Sequence, residues 1–141
     1  MDKEKSLLNY DVKILLALVK SLQGSRDFFN FLLRNGYPEL AAFSNAVRGD
    51  IEALKFLMIE GYPTLGILSN AIDEEPDAME WIAKKGDIFL IKFSAACRKD
   101  NDALQWFKDQ GAQIFVYMIT EIRVVLRQQL KDSIFVWYKW H

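Results

Sequence analysis

Residues 35–47 read "NGYPELAAFSNAV" and residues 60–72 read "EGYPTLGILSNAI", 25 positions later. Such internal self-similarity decides the fold before any single residue does. Beyond these two stretches, Gly36, Gly61, Gly86 and Gly111 recur at the same interval. Five residues before each stand Phe31, Phe56, Trp81 and Trp106; four before stand Leu32, Leu57, Ile82 and Phe107. Four after stand Leu40, Leu65, Leu90 and Phe115; seven after stand Phe43, Leu68, Phe93 and Met118. Eleven after stand Val47, Ile72, Cys97 and Ile122. A weaker half-unit, Leu15, Leu18 and Leu22, precedes the array.

Each unit reads as two short helices. Offsets +4, +7, +8 and +11 from the glycine make one apolar or small face of a first helix, as in Pro38 to Arg48. A second helix, roughly Ile51 to Glu60, carries Leu54 and Leu57 and ends at the next glycine, which takes a left-handed backbone. Pro38, Pro63 and Pro76 open helices, where a missing N–H costs nothing. Asp50, Asp100 and Asn101 are candidate N-caps. One pair cannot bury its apolar face alone, so stacked pairs are needed. The expected fold is all-α: a single solenoid of stacked antiparallel helix pairs over residues 1–141. Its expected parts are an N-terminal cap (7–25), repeats at about 26–50, 51–75, 76–100 and 101–125, and a C-terminal cap (126–141).

"SNAVRGDIEALKFLMIEGYP" and "SAACRKDNDALQWFKDQGA" resemble the core of an ankyrin repeat. The Thr-Pro-Leu-His signature is not kept, and the unit is 25 residues rather than about 33. The resemblance implies an ankyrin-like array without β-hairpin fingers, with first helices lining a concave binding face. Irregular arrays of this kind occur in large DNA viruses, phages and intracellular bacteria, which implies a host-directed effector or inhibitor role.

The rest of the chain bounds the function. Net charge is −1, from 18 basic and 19 acidic residues, which argues against nucleic acid as the partner. The longest apolar stretch contains Glu121 and Arg123, so no membrane span is read. With one cysteine, no leader and no span, a cytoplasmic location is expected. Cys97 sits in an apolar column, and the one histidine, His141, is the last residue. No phosphate loop or metal-ligand pattern is present, so neither enzyme activity nor a cofactor is expected.

The expected function is non-catalytic protein binding. Offsets +5, +6, +9 and +12 point away from the apolar face. They nominate Asn45, Arg48, Ile67, Asn70, Ile91, Lys92, Arg98, Val116, Tyr117 and Arg123 as partner-binding residues. Arg48, Arg98 and Arg123 share one column, broken by Asp73. That stripe is either a solvated face or a weak nucleic-acid contact. "QQLKDSIFVWYKWH" departs from the period. Its Phe135, Trp137, Tyr138 and Trp140 either fold back to cap the last unit or form an interface, with a homodimer as one outcome.

Overall fold

The computed structural model describes residues 4–140, the side chain of Trp140 excepted. Among these residues the chain is all-α, with no strand. The first helices are α1 (Val12–Leu22), α3 (Pro38–Val47), α5 (Pro63–Ile72), α7 (Ile88–Cys97) and the start of α9 (Gln113–Trp140). The second helices are α2 (Arg26–Arg34), α4 (Ile51–Ile59), α6 (Pro76–Lys85) and α8 (Asn101–Asp109). Successive pairs stack as the period requires. Core side chains come mostly from the first helices: Phe43, Leu68, Phe93 and Met118 are buried in one column, and Val47, Ile72, Cys97 and Ile122 in another. The second helices bury a narrow stripe, as Ala53 and Leu57 do in α4.

The glycines between units have φ from 69° to 97° at Gly36, Gly61, Gly86 and Gly111, the region in which a Cβ is strained. Pro38, Pro63 and Pro76 begin their helices, and Asp50 and Asp100 are N-caps. Asn101 is instead the first residue of α8, because Asp100 takes the cap. At α5 the preceding Tyr62 makes no side-chain cap. The Glu4 carboxylate accepts from the N–H groups of Thr64 and Leu65 at 2.8 and 2.9 Å, so the N-terminal segment caps a helix 60 residues away. That segment then buries Leu7 and Tyr10.

Two departures from the expected solenoid matter. First, α1 packs against α9 as well as α3, so the row of first helices closes on itself. Lys20 of α1 and Gln23, its C-cap, both donate to the Tyr117 hydroxyl of α9, at 3.3 and 2.8 Å. Second, residues 126–140 do not fold back as a separate cap. From Gln113 to Trp140 the chain is one helix of 28 residues, about 42 Å long at 1.5 Å per residue. Residues 131–139 are exposed along their whole length.

The reason lies in another 25-residue column. Within each pair, the residue between the helices is left-handed: Gly24 (φ 97°), Gly49 (φ 96°), Glu74 (φ 65°) and Lys99 (φ 79°). The next residue caps the second helix with its side chain: Ser25, Asp50, Glu75 and Asp100. The turn also closes on backbone bonds, as where the N–H groups of Gly49 and Asp50 donate to the carbonyls of Ala46 and Asn45. The fifth members of the two columns are Val124 and Val125. A β-branched residue strongly resists positive φ, and valine has no oxygen to cap with. The turn is therefore not made, and the helix runs on.

Candidate functional site

The expected first-helix face is largely consumed by the fold. Asn45, Ile67, Asn70, Ile91, Lys92, Arg98, Val116, Tyr117 and Arg123 are all half-buried, and Ile67, Ile91, Val116 and Tyr117 pack against the core. At +5, Ala41 and Gly66 are fully covered. A Cβ on Gly66 would come within 2.5 Å of the Met58 sulfur of α4, so +5 faces the preceding unit rather than solvent. α1 meets α9, so the first and last members of the row of first helices are joined. Those positions are thus half-buried rather than fully outward, with Arg48 exposed.

The arginine column has a structural occupation. Arg48 donates to the Leu22 carbonyl, Arg98 Nη1 to Ala71 at 3.0 Å, and Arg123 Nε to Ala96 at 2.7 Å. Each guanidinium thus meets a carbonyl at the C-terminus of the preceding first helix, where the helix dipole favours a cation; those of Ala71 and Ala96 also accept from the Glu74 and Lys99 N–H groups. Asp73 breaks the column, and the Val47 carbonyl it leaves unserved accepts from Gln129 Nε2 of α9 at 3.1 Å. In these bonds Arg98 and Arg123 are half-buried, while Arg48 stays exposed.

Burial pushes the Cys97 thiol well above its usual range, outweighing the nearby Arg123 and Arg98. The side chain is fully buried. Among the described residues no cluster of His, Cys, Asp or Glu is placed to hold a metal, and no helix is long and apolar enough to cross a membrane. His141 lies outside the described residues. Tyr10, buried and donating to Glu39 Oε2 at 2.8 Å, serves the N-terminal seam and has its phenol pushed up by that burial and bond.

What remains is the projecting end of α9. Leu126 is half-buried on the core. Beyond it Leu130, Ile134, Phe135, Trp137 and Tyr138 are 55%, 57%, 65%, 61% and 77% exposed. Leu126, Leu130, Ser133 and Trp137 follow a 4-3-4 spacing, with Ile134 beside them, and so share one face. The opposite face is polar around Phe135: Gln128 donates to Asp132 at 2.9 Å. At the base of the projection, the apolar face looks across a cleft of about 430 Å³ toward Ile72 and the turns after α5 and α7. Trp140 ends the helix, but its side chain lies outside the described residues.

The sequence showed these aromatics but not their placement. The signal that would have placed them is the Val124–Val125 pair. It was masked because Glu74 and Lys99 hide the glycine-type column behind charged side chains. Comparison with protein-family models, with curated proteins and with solved structures finds no match to this chain.

Proposed function

We propose that this chain is a non-catalytic protein-binding module of ankyrin-like helix pairs that engages its partner through the projecting end of α9. The observation that carries this reading is the exposure of Ile134, Trp137 and Tyr138 on α9 where it runs on beyond the helix pairs. Large aromatics presented on a preorganised element are typical interface anchors, since little side-chain entropy is lost when they dock. The curled body then serves as the base that holds the helix in place. The half-buried first-helix residues are the weaker candidates, because Tyr117 is engaged by Lys20 and Gln23 and Ile67 packs against the core. A host or cellular protein target, and a cytoplasmic setting, are consistent with the ankyrin-like pattern.

Site-specific photo-cross-linking in the producing cells tests the reading. With p-benzoylphenylalanine in place of Tyr138, irradiation is expected to give a discrete higher-mass product. The same probe in place of Ile67 is expected to give none. Products from position 67 alone would return the site to the first helices.

A further inference from the structure

The proposed site leaves its occupant open. Resting on that site being the interface, we propose that the occupant is the same segment of a second copy. Two chains pair their α9 projections antiparallel, about a two-fold axis near Ser133 and Ile134, and each tip enters the cleft at the base of the other.

Three features carry this. The exposed stripe is self-complementary about its midpoint. Reversing the helix places Trp137 opposite the partner copy's Leu130, and brings the small Ser133 to the crossing, where two helices must approach closely. Leu126, Leu130, Ser133 and Trp137 have the spacing of a coiled-coil seam. The cleft lies on the same face as the stripe, lined by Ile72, Leu126, Leu130 and Ser133, so an antiparallel partner's tip runs straight into it.

Area sets the strength. Leu130, Ile134 and Trp137 are each more than half exposed. They present on the order of 400 Å² per chain, which a two-fold doubles to about 800 Å², the size of a weak, concentration-dependent contact. The far face, with Gln128, Asp132 and Lys139, stays in water in such a pair. That polarity fits a two-helix contact better than immersion in lipid, which would bury it. A net charge of −1 leaves little long-range repulsion between copies.

The test is sedimentation equilibrium of the full chain from about 1 to 100 μM, with circular dichroism to show that each variant keeps its helices. The wild type is expected to approach twice the monomer mass as concentration rises. Leu130→Glu and Trp137→Glu are each expected to weaken dimerisation at least tenfold, and Phe135→Glu, on the far face, to change it less than threefold. Mixing Leu130→Cys with Trp137→Cys chains and oxidising is expected to link 130 to 137 between copies. Cys97 is buried and does not compete. A chain monomeric throughout overturns the proposal, as does a dimer insensitive to Trp137→Glu or one that links 130 only to 130.

The failures separate. A monomer whose position-138 probe still captures another protein, in a manner lost with Trp137→Glu, removes the second copy but keeps the binding site. A monomer that instead sediments with anionic phospholipid vesicles makes lipid the occupant. A monomer with no capture at 138 removes both readings.

Discussion

The fourth and fifth turns of the array differ in two residues and end in different structures. At Arg98–Lys99–Asp100, the chain leaves α7, takes a left-handed step at Lys99 (φ 79°), and lets Asp100 accept from the Ala103 N–H at 3.1 Å. At Arg123–Val124–Val125 the preceding helix has the same apolar columns, and Arg123 makes the same carbonyl contact as Arg98. Yet the chain continues as helix to Trp140. The apolar pattern of a unit decides which faces are buried. The turn residue and its cap decide whether the chain reverses. Lys99 tolerates a strained φ because the backbone bonds of the turn and the Asp100 cap hold it there; Val124 has neither a compatible side chain nor a cap after it.

The largest effect should come from exchanging the two residues. Val124→Gly with Val125→Asp restores the turn pair seen at Gly49–Asp50 and is expected to fold the end of α9 back. Spin labels at positions 113 and 135 should lie about 33 Å apart in the wild type, as a continuous helix requires. In the variant, electron–electron resonance should give roughly half that distance. An unchanged distance would mean that the helix is held open by more than its turn residues.

Next come the arginines that serve both turns. Arg123→Ala is expected to cost about 2 kcal/mol by urea denaturation, the range for a hydrogen bond from a charged group. Gln129→Ala should cost about 1 kcal/mol, as a neutral bond does. Asp73→Arg in that background should recover most of the loss by restoring the column. A recovery no larger than in the wild-type background would show that Gln129 does not substitute for the missing arginine.

The smallest effect tests the strain itself. Glu74→Gly and Lys99→Gly should each stabilise the fold by about 0.5–1 kcal/mol. They remove a left-handed penalty of about 1–2 kcal/mol and give back part of it as unfolded-state entropy. Loss of stability in both would mean that these side chains do something the turn geometry does not reveal.

Much of the body was legible because burial follows periodicity. Leu40, Leu65, Leu90 and Phe115 could be assigned to the core from spacing alone, and all are buried. So could the breaks at Gly36, Gly61, Gly86 and Gly111. The candidate site was legible as composition but not as geometry. Phe135, Trp137 and Tyr138 were visible, while their exposure depends on Val124 and Val125, which carry no marked signal unless aligned under Gly24–Ser25 and Gly49–Asp50. The half-burial of Ile67, Ile91 and Tyr117 was not legible for a different reason. A helical wheel gives a residue's direction from its own axis, not how far the row of helices curves.

Local spacing alone therefore dictated the helix pairs, their boundaries and the apolar face of each, because these depend on which residues recur at helical intervals and which accept special backbone angles. Only the folded chain shows that α1 meets α9, that three arginines and Gln129 are spent on helix ends, and that Glu4 caps α5 from 60 residues away. These contacts join residues far apart in the chain. The α1–α9 contact depends on how small inter-unit rotations sum over the array, and no local pattern encodes that sum.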